Sequence, residues 1–131
     1  MPTFEFEKIV RDKIPELIES QGGTVELDDI TSSKRYKFLT SEKIIEELDE
    51  LRKADTDEKR LGEIADAIDV LYGAAEHLGY TGTDIDKIRA AKAQERGAFI
   101  TAPYVISITV PEDNSWVPYL RAEPDKYPET K

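Results

Sequence analysis

The stretch EELDELRKADTDEKRLGEIADAID, Glu46 to Asp69, lies in a segment dense with carboxylates. Between Glu42 and Asp69 there are 11 acids in 28 residues. Like charges one helical turn apart repel, by roughly 0.2–0.5 kcal/mol a pair, so the spacing of these acids carries information. At ~100° per residue, Glu47 and Glu50 stack one turn apart, and Glu46 also lies one turn below Glu50. After 12 intervening residues, Glu63 and Asp66 repeat the pattern. A short turn at 55–57 makes the two segments antiparallel neighbours. Glu46, Glu47 and Glu50 then face Glu63 and Asp66 across one seam. Carboxylates gathered there either take up protons at raised pKa or hold cations. Donors that are all oxygen select Mg²⁺ or Mn²⁺ over zinc, copper or iron. The Glu-x-x-His pair of di-iron bundles is missing. The single histidine, His77, reads as a packing or surface residue. An ordinary solvated acidic face is the competing reading, and stacked pairs on both helices weigh against it.

The elements that position these acids are helical. VRDKIPELIESQG puts Val10, Ile14, Leu17 and Ile18 at helical spacing, and Gly22 and Gly23 stop the helix near Gln21. DDITSS offers N-caps for a second helix over KRYKFLTSEKIIEELDELRKA, with Ile44, Ile45, Leu48 and Leu51 as its apolar stripe. Thr40 and Ser41 interrupt that run. In the third helix Leu61, Ile64, Ala65, Ile68, Leu71, Tyr72, Ala75 and Leu78 keep a 3.6-residue period up to Gly79. Val70 and Ala74 lie on its other side, which predicts a central helix buried on two faces. A fourth helix is expected from a Thr83 cap to Gly97. Five of the seven prolines fall in the last 29 residues. There YVISITV alternates as a strand does, and Trp116, Tyr119 and Leu120 look like anchors. The expected fold is all-α: an antiparallel bundle of four to five helices over residues 1–100, with an irregular, partly extended C-terminal arm over 101–131.

Composition bounds the function. A chain of 131 residues suits one domain. There is no cysteine, which removes disulfides, thiolate metal sites and cysteine nucleophiles. The net charge of −10 argues against wrapping a nucleic acid polymer. No apolar run has the ~20 residues of a membrane span, and the N-terminal residues lack a secretory h-region. A cytoplasmic location is expected.

Glu46-Glu47-x-x-Glu50 followed by Glu63-x-x-Asp66 resembles the metal signature of the all-α nucleoside triphosphate pyrophosphohydrolases, the MazG-like superfamily. That group includes dimeric dUTPases and phosphoribosyl-ATP pyrophosphohydrolases. KIVRDKIPELIESQG resembles the N-terminal segment of a phosphoribosyl-ATP-pyrophosphohydrolase-like branch, and KAQERGAF the segment that closes its core. RGAF departs from the pattern, with alanine where a second glycine is expected. The similarity spans roughly residues 8–100 and leaves the arm uncovered. It implies a Mg²⁺-dependent reaction, NTP plus water to NMP plus pyrophosphate, with house-cleaning of non-canonical nucleotides as one role. Glu47, Glu50, Glu63 and Asp66 would hold the metal, and Glu46 would be a further ligand or the base that orients water. Lys8, Arg11, Lys13, Lys92 and Arg96 would take the phosphates. Asp69 stays outside the ligand set, and Asp12 reads as a helix N-terminal charge. The resemblance implies a homodimer or a dimer of dimers. Phosphoribosyl-ATP as substrate is the alternative, and a non-catalytic acidic module is the other.

Overall fold

A computed structural model of the chain describes residues 1–31 and 34–130. It is all-α, with five helices and no strand among the described residues: α1 Ile14–Ser20, α2 Lys34–Lys53, α3 Asp57–His77, α4 Gly82–Arg96 and α5 Trp116–Arg121. The chain forms two units, Met1–Glu95 and Arg96–Lys131.

Within the first unit, α2 and α3 pack against each other as an antiparallel pair. Tyr36 near the start of α2 stacks on His77 at the end of α3, ring centroids 4.0 Å apart. At the other end, Glu50 and Ala54 share one cavity wall with Gly62 and Glu63. The turn between them works because Thr56 caps α3: its hydroxyl accepts from the Lys59 amide at 3.1 Å, and Asp57 and Glu58 face the helix dipole. α1 and α3 both end in Schellman motifs. Gly23 N donates to Ile18 O and Tyr80 N to Ala75 O, each at 3.0 Å. Both motifs need a left-handed residue, and Gly22 (φ 88°) and Gly79 (φ 91°) supply it. Asp84 and Thr81 form a reciprocal capping box at the start of α4. The cap is therefore Thr81 and not Thr83, which lies inside the first turn. The cap candidates Ser32 and Ser33 lie outside the described residues.

α2 runs unbroken through Thr40 and Ser41. Ser41 satisfies its hydroxyl on the Lys37 carbonyl at 3.0 Å. Thr40 is 7% exposed on the face turned to α3, and its hydroxyl has no partner among the described residues. An orphaned buried hydroxyl is costly, and an apolar group of the same shape is not. Thr40→Val is expected to raise the unfolding free energy by about 1 kcal/mol, read from urea denaturation midpoints.

Two expectations need correction. YVISITV is not a strand: residues 104–110 lie without a ladder partner, and Tyr104 and Ile106 are almost fully exposed. Alternation makes a strand only where a second strand takes its N–H and C=O groups. Nor is α3 buried on two faces. Glu63, Asp66, Val70 and Ala74 face inward or are half-covered, whereas Leu61, Ile64, Ile68 and Leu71 open to solvent, as do Ile45 and Leu48 on α2. By helical rotation these two stripes share one side of the antiparallel pair, opposite Glu50 and Asp69. No hydrophobic residue is buried among the described residues.

In the second unit, Trp116 packs edge-on to Tyr119 at 5.8 Å, and Tyr119 meets Tyr127 at 6.2 Å. Arg121 ties Glu112 to Glu129, each through a 2.7 Å contact. The expected anchors Trp116 and Tyr119 thus pack on the arm's own residues.

Candidate metal centre

The seam brings Glu47 from α2 together with Glu63 and Asp66 from α3. One carboxylate oxygen from each lies within 4.8 Å of the others, a triad that could hold a metal ion. Helical spacing is the cause: i, i+3 places Glu63 and Asp66 on one face, and the antiparallel register sets that face against Glu47. Glu47 is 6% exposed, and the other two are half-buried. Glu50 stands at the rim. With Lys53, Ala54, Asp55, Lys59, Gly62, Glu63 and Asp66 it lines a groove of about 450 Å³ beside the triad.

Glu46 is placed differently. It is held by two lysines, Lys8 at 2.8 Å and Lys43 at 3.3 Å. Lys43 also reaches Glu47 at 3.3 Å and is only 14% exposed. Arg11 spans two acids of α3, with Nη2 at 2.5 Å from Asp66 and Nη1 at 2.8 Å from Asp69. Lys8 and Arg11 arrive from the segment before α1 and are paired with acids of α2 and α3. Lys13 and Lys92 are exposed and make no contact with the acids among the described residues. Arg96 ends α4 and opens the second unit. Asp12 lines a separate cavity with Gly73, Glu76 and His77. The hydroxyl of Tyr72 donates to Asp86 at 3.1 Å and so links α3 to α4.

Lys43 was missed by motif reasoning, although its i+3 and i+4 relation to Glu46 and Glu47 was there to be read. Asp69 was set aside, yet it holds Arg11. Lys53 and Lys59 in the groove wall were also passed over.

Charge is unevenly satisfied. Among the described residues, Lys8, Lys43 and Arg11 serve Glu46, Glu47, Asp66 and Asp69, and neither Glu63 nor Glu50 has a basic partner. A hydrogen bond with Glu47, then partial burial, then repulsion from Glu47, Asp66 and Glu50 hold the Glu63 carboxyl above its usual 4.5. The Lys8 hydrogen bond, aided by Lys43, holds Glu46 below 4.5, and Glu46 in turn raises the Lys8 ammonium. The signs oppose. Stability from protonated Glu63 is full below 4.5 and is lost as pH rises through its raised value. Stability from ionised Glu46 is full above 4.5 and is lost as pH falls through its lowered value. In the metal-free protein Glu63 is therefore expected to favour the fold on acidification and Glu46 to oppose it. In a carboxyl-carbon NMR titration Glu63 should protonate at higher pH than Glu46; the reverse order contradicts this electrostatic picture.

The donor set suits a hard divalent ion: three carboxylates from two rigid helices, one of them repelled by its neighbours until a cation arrives. No helix among the described residues is long and apolar enough to cross a membrane. Searches of curated proteins and of solved structures return no match. A family model described as phosphoribosyl-ATP pyrophosphohydrolase matches residues 5–96, which take in Lys8, Arg11, both acidic helices and α4. The chain belongs to the phosphoribosyl-ATP pyrophosphohydrolase family and is a hydrolase of phosphoanhydride bonds, a pyrophosphohydrolase of the MazG-like superfamily.

Proposed function

We propose that the protein is a Mg²⁺-dependent nucleoside triphosphate pyrophosphohydrolase, with Mn²⁺ able to substitute, that releases pyrophosphate and a nucleoside monophosphate. The observation that carries this reading is the Glu47–Glu63–Asp66 triad, with its three oxygens within 4.8 Å. Glu47, Glu63 and Asp66 hold the ion, and Glu50 joins them from the rim. A divalent ion bound there neutralises charge on the phosphate oxygens. Glu46 stands apart from the triad and is kept ionised by Lys8 and Lys43. Its role is to accept a hydrogen bond from the attacking water and so aim it at the α-phosphorus. Lys8 and Arg11 meet the phosphate tail, and Lys13, Lys92 and Arg96 are the remaining candidates for that task. Charge-assisted contacts of this kind also hold the leaving pyrophosphate.

The family match over residues 5–96 favours a second substrate, phosphoribosyl-ATP, through the same bond cleavage. We further propose a homodimer or dimer of dimers, because Ile45, Leu48, Ile64, Ile68 and Leu71 open to solvent on one face. A site of action in the cytoplasm completes the reading.

The experiment is a substrate panel of standard, deoxy and modified nucleoside triphosphates beside phosphoribosyl-ATP, with Mg²⁺ and with product analysis. Pyrophosphate release from one class supports the reading and names the substrate. Release of orthophosphate, or no turnover of any member, overturns it.

A further inference from the structure

We propose that Arg11 is a tethered counter-ion of the acidic seam: it neutralises Asp66 while no metal is bound, a divalent ion displaces it, and Asp69 keeps it beside the site. This inference rests on the reading of the seam as a metal centre.

The guanidinium forks across two acids with different duties. One nitrogen lies 2.5 Å from Asp66, a member of the triad. The other lies 2.8 Å from Asp69, one turn further along α3 and outside the triad. An ion that claims the Asp66 oxygen breaks the first contact and leaves the second intact.

The tether is built to move. Arg11 precedes α1, in a segment that forms no helix or strand. That segment is joined to α2 and α3 by three ion pairs, Lys8–Glu46, Arg11–Asp66 and Arg11–Asp69. The Arg11 side chain is 57% exposed, so it can leave Asp66 without opening any packed interior. Lys43 is the contrast: it is largely covered and rides on α2 itself, one turn from the acids it serves. Lys43 is a fixed cation and Arg11 a removable one.

Arginine does not lose its proton in proteins, so pH near neutrality cannot release this contact. Only a competing cation on the acid, or a competing anion on the guanidinium, can. A dication shared by three carboxylates outcompetes one guanidinium for Asp66. The guanidinium then has donors to spare, since it carries five N–H groups, and Asp69 holds it within reach of an arriving phosphate. Two consequences have opposite signs. Removing Arg11 strengthens metal binding and weakens nucleotide binding.

The test is Mn²⁺ binding without nucleotide, followed by electron paramagnetic resonance of the free ion, for wild type, Arg11→Gln and Arg60→Gln. Arg60 pairs with Asp57 at 2.8 Å and does not contact the triad, so its variant controls for the loss of one positive charge. Arg11→Gln should bind Mn²⁺ roughly threefold to fivefold more tightly than wild type, the upper part of the range for losing one exposed ion pair. Arg60→Gln should stay within about twofold, as expected of a screened surface charge. Arg11→Lys keeps the charge without the fork and should lie between; it also serves if the glutamine variant does not fold. A second readout is the ¹⁵N NMR signal of the Arg11 side chain in wild type, which should shift when Mg²⁺ is added. Equal Mn²⁺ affinity in wild type and both Arg11 variants, or an unmoved Arg11 signal at saturating Mg²⁺, overturns the inference while leaving the metal centre standing. Absence of Mn²⁺ binding by every protein removes the metal centre, and the inference with it.

Discussion

Glu63→Gln is expected to cut kcat by at least ~100-fold, because even residues that only support metal ligands cost 10–100-fold when changed. The metal-free variant is expected to melt at or above the wild-type temperature. Both results follow from one fact: Glu63 has no basic partner among the described residues and is repelled by Glu47, Asp66 and Glu50. The amide keeps the shape of the acid and removes its charge. Repulsion falls, so folding gains; the oxygen donor that a cation needs weakens, so catalysis fails. An acid kept for structure would show the opposite pattern. Thermal melts in EDTA and steady-state turnover with Mg²⁺ check the two halves separately. A variant that melts earlier and still turns over would place the metal ligands elsewhere.

The second large effect concerns assembly. Leu61, Ile64, Ile68 and Leu71 repeat at i, i+3, i+7 and i+10 along α3 and are all 41% exposed or more. An apolar stripe of that regularity, left in water, would forgo its burial energy at ~25 cal/mol per Å². We expect a second copy to cover it. Ile68→Asp should weaken self-association at least ~100-fold, since an unpaired charge buried in an interface costs ~3–5 kcal/mol. No hydrophobic residue is buried among the described residues, so the folded state should depend on that association. Wild-type melting temperature should therefore rise with protein concentration, and Ile68→Asp should lose its cooperative transition. Sedimentation that shows a stable, folded wild-type monomer at all concentrations would refute the assembly proposal.

The local code of the chain was legible in the sequence, and what was missed was long-range. Helix limits followed from Thr56, Gly22 and Gly79, whose roles depend on neighbours a few residues away. The cap of α4 lies two residues earlier than expected because TGTD offers two threonines, each with an acid three residues on; Asp84 returns to Thr81, whereas Asp86 is taken by Tyr72 and Arg89. The seam itself was predictable, since i, i+3 spacing and a short turn fix which acids meet. Which acids gather closely was not. Glu46 and Glu47 are adjacent in sequence, yet one turns to Lys8 and the other to the triad, a division set by helix rotation. Arg11 lies 58 residues from Asp69, and no pattern in sequence joins them. The sidedness of α3 was also hidden. Its apolar stripe reads as a buried face, whereas within one chain its carboxylate side is the one that packs. The β-like alternation of YVISITV describes a strand only if a partner strand exists, and composition cannot supply one.

The most direct measurement is an anomalous difference map from crystals grown with Mn²⁺. A metal centre here predicts a peak between Glu47, Glu63 and Asp66, with the Arg11 guanidinium withdrawn from Asp66 toward Asp69. A map with no peak there, and Arg11 still seated on Asp66 at saturating Mn²⁺, would contradict it.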